Sequence, residues 1–124
     1  MLGSSKIIAF AATRDAAAAK SFYRDTLGLR LVSEDPFALA FDAHGTMLRV
    51  QIVQEVAEVK YTLLGWAVPD IAATARELHE AGIKLERFEG LGQDELGIWT
   101  SPSGAKVGWF RNPDGNLLSI TQFE

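Results

Sequence analysis

Short apolar runs alternate with polar punctuation along this chain, and the same order of elements occurs twice. Ile7-Ile8-Ala9-Phe10-Ala11-Ala12 is a brief apolar run of the kind a strand presents. Asp15 stands where a helix N-cap belongs, with a carboxylate able to accept from free backbone N–H groups two or three residues on. Ala16 to Leu27 is alanine-rich and predicts a helix anchored by Phe22 and Leu27, with Gly28 as its stop. In the second half Gly65-Trp66-Ala67-Val68 predicts a strand and Asp70 a cap. Ile71, Ala75 and Leu78 form an apolar stripe at helical spacing, and Gly82 is the stop. Asp15 and Asp70 are 55 residues apart and Gly28 and Gly82 are 54 apart. A near-constant offset at two independent kinds of punctuation argues for duplication.

Strands follow each helix. In the first half they are predicted at Leu29–Ser33, Phe37–Phe41 and Met47–Val53, separated by Asp35-Pro36 and the turn Asp42-Ala43-His44-Gly45. In the second they fall at Lys84–Phe88, Gly97–Thr100, Lys106–Arg111 and Leu117–Phe123, broken at Gly90-Leu91-Gly92 and Ser101-Pro102-Ser103-Gly104. The first half thereby follows a β-α-β-β-β order, and the second repeats it with one further predicted strand. The polar stretch Gln54–Lys60 is the linker between them.

Composition narrows the function. A chain of 124 residues, 48% hydrophobic and 23% charged, is one domain of ordinary size with a packed core. The net charge of −4 has interspersed signs, which gives no basic footprint for nucleic acid. The absence of cysteine excludes disulfides, thiolate metal sites and thiol nucleophiles. No stretch reaches the roughly 20 apolar residues of a membrane-spanning helix, and the first residues lack a signal-peptide pattern. The expectation is a soluble cytoplasmic protein without nucleic-acid or membrane partners.

The most specific segment is Gly108-Trp109-Phe110-Arg111-Asn112-Pro113-Asp114-Gly115-Asn116-Leu117-Leu118-Ser119-Ile120. It predicts a hairpin in which Pro113 sets the turn entry and Asp114-Gly115 supplies positive φ. This segment resembles the terminal hairpin of the vicinal oxygen chelate superfamily, which includes glyoxalase I, extradiol dioxygenases and bleomycin-resistance proteins. Asp15 through Gly28, with Ser21-Phe22-Tyr23 and Leu27-Gly28-Leu29, resembles that superfamily's first helix. Trp66-Ala67-Val68 with Asp70 resembles the opening of its second module. The resemblance implies an α+β fold of two βαβββ modules, about residues 6–53 and 61–123. These would form a single 1–124 glyoxalase-like domain whose mixed sheet curls around a cavity, commonly as a homodimer.

In the superfamily's metal enzymes, His, Glu or Gln ligands come from the first and last strand of each module. The resemblance carries those positions to Ile8, to Arg49, to Leu64 (or Trp66 if the register slips by two) and to Ser119. None is a good donor, and an arginine repels a divalent cation. His44 in a turn and His79 near a helix end read as surface residues. The expectation is therefore no catalytic metal and no cofactor.

Strand alternation proposes what lines the pocket instead. Leu48, Val50 and Ile52 share one face of their strand, while Arg49 and Gln51 share the other, which the resemblance makes the cavity face. Ile8 and Phe10 join it from the first strand, and Ser119 and Thr121 from the last, with Leu118 and Ile120 beneath the helices. Trp66 and Trp99 complete the candidate ligand-binding set of Ile8, Phe10, Arg49, Gln51, Trp66, Trp99, Ser119 and Thr121. A few polar groups orienting an apolar ligand is ordinary small-molecule chemistry, and the Arg49 fork suits a carboxylate, phosphate or enolate-like oxygen. The alternatives are that the tryptophans are core, that Arg49 pairs with Glu34 or Glu95, and that Ser119 and Thr121 are ordinary strand residues. Gly90-Leu91-Gly92 with Gln93-Asp94-Glu95 reads as a polar surface loop.

The leading functional reading is a metal-free small-molecule binding protein of the bleomycin-resistance kind, taking an apolar or aromatic ligand. A metal-dependent lyase, isomerase or dioxygenase of the same superfamily is the alternative, with a ligand-free structural or regulatory dimer third. An enzyme using Arg49 to stabilise an enolate without metal is a smaller fourth reading.

Overall fold

The structure, a computed structural model, describes residues 1–124. The chain forms two compact units, Met1–Glu58 and Val59–Glu124, dividing inside the polar linker. After a short 3-10 turn at Leu2–Ser4, unit one comprises β1 (Ile8–Thr13), α1 (Ala16–Lys20), β2 (Arg30–Glu34), β3 (Ala38–Ala43) and β4 (Thr46–Ile52). Unit two comprises β5 (Leu64–Ala67), α2 (Ile71–Glu80), β6 (Trp99–Thr100), β7 (Lys106–Arg111) and β8 (Leu117–Gln122). The two sheets have the same topology, β1-β4-β3-β2 and β5-β8-β7-β6. In each, the first strand runs parallel to the last and the other pairs are antiparallel. The fold is α+β and is built from two βαβββ modules.

The repeated caps do the same work. Asp15 Oδ1 accepts from Ala18 N at 3.0 Å and Asp70 Oδ1 accepts from Ala73 N at 3.1 Å, so each satisfies an otherwise free N–H of its helix. The helix exits differ. Unit two closes with Ile83 N donating to Leu78 O and Gly82 N to His79 O, the paired bonds of a Schellman ending. In unit one the predicted helix over 16–27 is α-helical only to Lys20, and Ser21–Thr26 widens into a π-helical segment. Leu27 N there donates to Phe22 O at 2.9 Å, five residues back. From cap to glycine the first helix spans one residue more than the second. The wide turn absorbs that residue, which is why the repeat offset falls from 55 to 54.

One face of each sheet is covered by its helix. In unit one Leu48, Val50, Leu39 and Phe41 are buried beneath Ala19 and Tyr23, whose ring lies 5.6 Å from that of Phe41. In unit two Ile71, Ala75 and Leu78 of α2 pack toward Phe110, Leu118 and Ile120, all nearly inaccessible. Each such large side chain contributes about 1.5–3 kcal/mol by leaving water.

Two predicted elements change. Lys84–Phe88 is not a strand: only Glu86 N reaches a sheet partner, Trp109 O at 2.6 Å. The Gln93 amide occupies the place of a neighbouring strand, its Oε1 accepting from Phe88 N at 2.7 Å and its Nε2 donating to Glu86 O at 2.8 Å. The strand predicted over 97–100 shortens to Trp99–Thr100, because Gly97 and Ile98 belong to a turn organised by Asp94.

The terminal hairpin is a type I turn over Asn112–Gly115, with Gly115 N donating to Asn112 O and only Gly115 at positive φ, +87°. Asn112 Oδ1 accepts from Asp114 N and Asn116 N, so a buried amide, not Asp114, shapes the loop. Asn116 Oδ1 in turn accepts from Val59 N, fixing the chain where unit two begins.

Candidate ligand-binding faces

The face of each sheet turned away from its helix carries most of the residues singled out above. In unit one, register places Ile8 beside Met47, Phe10 beside Arg49 and Ala12 beside Gln51, and all six side chains share that face. Ile8, Phe10 and Met47 are 46%, 49% and 39% exposed, unusual for large apolar side chains on a central sheet surface. Across β4 the partners of Arg49 and Gln51 are Ala40 and Ala38, both buried. Arg49 forms no ion pair within its unit. Glu34, one of the carboxylates it could have taken, is held by Lys20 at 2.7 Å.

The charge of Arg49 is felt by Asp35. Asp35 Oδ1 accepts from Phe37 N at 2.7 Å and Ala38 N at 3.0 Å. These two backbone hydrogen bonds, and to a smaller extent the Arg49 guanidinium, hold the Asp35 carboxyl below its usual range.

In unit two, Trp109, Ser119 and Gly65 form one row across the open face, and Trp99, Val107, Thr121 and Ala67 form the next. Trp99 and Trp109 lie 6.1 Å apart with their planes tilted by 33°, and Phe88 meets Trp109 edge-on at 5.6 Å. Trp109 Nε1 donates to Thr62 Oγ1 at 3.2 Å, which fixes the indole in place. At one end Arg111 is neutralised by Glu86 at 3.0 Å and also donates to Gly115 O. The result is a three-ring aromatic array flanked by Thr121, partly exposed, and by Ser119, which is buried at 8% exposure.

Of the eight candidates, then, Ile8, Phe10, Arg49 and Gln51 share one open face, and Trp99, Ser119 and Thr121 share the other. Trp66 does not join them. It pairs with Ile120, stacks on buried Phe110 at 6.3 Å and belongs to the face under α2. Leu64 lies on that covered face as well, so the third metal position expected there is wrong by one residue, and the open-face positions of β5 are Gly65 and Ala67. Trp109 is one of the three tryptophans weighed as pocket or core but lies outside the candidate set, and its supports Thr62 and Phe88 were not predicted. Trp109 was accessible by counting back from the hairpin, since Arg111 pairs with Leu117 and Trp109 with Ser119. Nothing in the sequence signals Thr62.

The superfamily's metal does not fit this donor set. Its expected positions here are Ile8, Arg49 and Ser119 on the open faces, which offer one hydroxyl and a repelling guanidinium. No three His, Cys, Asp or Glu side chains converge as a metal-binding group.

Residues 7–120 match the Glyoxalase/Bleomycin resistance protein/Dioxygenase superfamily, and the chain belongs to it. It is 34% identical over 115 residues to the uncharacterized protein YraH of Bacillus subtilis (strain 168), a match covering 80% of this chain and 83% of that one. A bleomycin-binding protein solved in complex with bleomycin is similar over 98% of this chain and all of its own, at 19% identity and TM-score 0.73. Lactoylglutathione lyase from Agrobacterium tumefaciens is similar over 95% of this chain and 93% of its own, at 22% identity and TM-score 0.71. At those identities the two structures speak for the fold alone. No helix is long and apolar enough to cross a membrane.

Proposed function

We propose that this protein binds an apolar or aromatic small molecule without a catalytic metal. The observation that carries the reading is the open face of unit two, where Trp99, Trp109 and Phe88 present joined rings next to the Ser119 and Thr121 positions. Indole faces suit planar or cationic compounds by stacking and cation–π attraction, and the net charge of −4 favours a cation. On the open face of unit one, Phe10 and Ile8 flank Arg49, which offers a bidentate donor to a carboxylate or enolate-like oxygen. The similar structure of a bleomycin-binding protein in complex with bleomycin is a precedent for a small-molecule ligand on this fold. A cytoplasmic homodimer is part of this proposal. The reading as a metal-dependent lyase, isomerase or dioxygenase requires donors that the expected positions lack.

Metal analysis by mass spectrometry on untagged protein, with melts in nickel, zinc, manganese and ferrous iron, tests the reading. It predicts substoichiometric metal and no stabilisation. One tightly held metal per chain with a raised melting temperature would replace it with the enzyme reading.

A further inference from the structure

The 83–98 segment, which joins α2 to β6, is a built loop, not a slack connection. Gln93 Nε2 donates to both Glu86 O and Gly97 O while its Oε1 accepts from Phe88 N, tying the two limbs together. Asp94 Oδ1 accepts from Leu96 N and Ile98 N. Leu85 is wedged against backbone on two sides. A Cβ at Gly97 would stand 2.9 Å from Leu85 Cβ, and one at Gly108 would stand 2.7 Å from Leu85 Cδ1. Compact loops held by their own side chains are often functional.

Between this loop and α2 lies a cavity of about 380 Å³, within the size range of small-molecule sites. Its floor is apolar, made by Ala75 of α2 with Ile83, Leu85 and Leu96 of the loop. Its polar lining is weighted toward cations. Lys84 has no ion-pair partner, and Arg87 spends one N–H on Glu95 O at 2.6 Å and likewise has no carboxylate partner. His79 enters from α2, and the Glu95 side chain is the single carboxylate in the lining. The nearby carboxylate of Glu86 is already committed to Arg111. No residue of the two open faces takes part.

We propose that this cavity is a second small-molecule site, for a compound with an apolar body and one carboxylate head. The apolar floor takes the body by burial, while Lys84 and Arg87 take the head by charge-assisted hydrogen bonds. The site stands independently of the aromatic face and of its ligand.

Titration of the ¹⁵N-labelled full chain with sodium decanoate, and with decylamine as the charge-inverted control, tests this directly. The proposal predicts saturable amide shifts at Ala75, His79, Leu85 and Leu96 with the carboxylate and none there with the amine. Lys84→Glu with Arg87→Glu should weaken decanoate binding by about tenfold or more, the scale of lost charged hydrogen bonds, while the amide spectrum away from the loop stays that of the folded chain. Leu96→Trp, which fills the cavity, should abolish the same shifts. Absent shifts, equal binding of the amine, insensitivity to the double charge reversal, or shifts confined to Trp99, Trp109 and Ser119 would each overturn the assignment.

Discussion

Ser119 Oγ occupies the space that a side chain on Gly65 would need: a Cβ there would stand 2.5 Å from it. The two residues are cross-strand partners on the open face of unit two, in the row that carries Trp109. Gly65→Ala should therefore destabilise the protein by about 1–3 kcal/mol, the usual penalty of overpacking. Removing the hydroxyl should relieve the clash. In a double-mutant cycle read by denaturant unfolding, adding Ser119→Ala to Gly65→Ala should recover most of the loss. Additive effects would mean that the hydroxyl does not oppose the new methyl group.

Arg49 is predicted to act on ligand and not on fold. It has no ion pair within its unit and sits between Phe10 and Ala40 on the open face of the first sheet. Arg49→Ala should weaken any anionic or enolate-like ligand of that face by about 1.5 kcal/mol or more, the scale of a charged hydrogen bond. Calorimetric titration reads the affinity, and a thermal melt reads the fold. Unchanged affinity would remove Arg49 from the site.

The two caps should be close to interchangeable in strength. Asp15→Ala and Asp70→Ala each delete one side-chain acceptor at an equivalent helix N–H. Each should cost about 1 kcal/mol. A cost for one cap several times that for the other, measured by urea unfolding, would contradict the equivalence of the two modules.

Asp35 supplies an acid-sensitive contribution to stability. Its carboxyl is held below its usual range by the Phe37 and Ala38 N–H groups and then by Arg49, so folding favours the ionised form. That contribution is complete above the ordinary carboxylate value of about 3.9. It is lost as pH falls through the lower folded value. Melting temperatures of the protein and of Asp35→Ala should therefore converge as pH falls from 7 toward 3. A gap that stays constant would mean the carboxylate charge plays no part.

The topology was legible in the sequence because its punctuation is local. Asp15, Gly28, Asp70 and Gly82 mark helix ends through their own side chains or lack of them, and they do so twice. The face assignments of β4 and β8 were legible too, since Arg49 and Gln51, and Ser119 and Thr121, alternate with apolar residues. On β5 that signal is missing. Leu63-Leu64-Gly65-Trp66-Ala67-Val68 is apolar throughout, so nothing in it shows which face is covered, and Trp66 proved to lie under α2. The 84–88 segment failed for a different reason. Its composition suits a strand, but Gln93, several residues away, takes its backbone groups. The aromatic array depends on pairing between β6, β7 and a distant loop, which no local pattern reports.

Tryptophan fluorescence of chelator-treated protein, titrated with a panel of planar aromatic compounds with and without added zinc and nickel, distinguishes metal-free aromatic binding from a metal-dependent site. Saturable quenching by at least one compound, unchanged by metal and lost in Trp99→Ala, is the expected result. Quenching that appears only when metal is present, or that persists undiminished in Trp99→Ala, would contradict it.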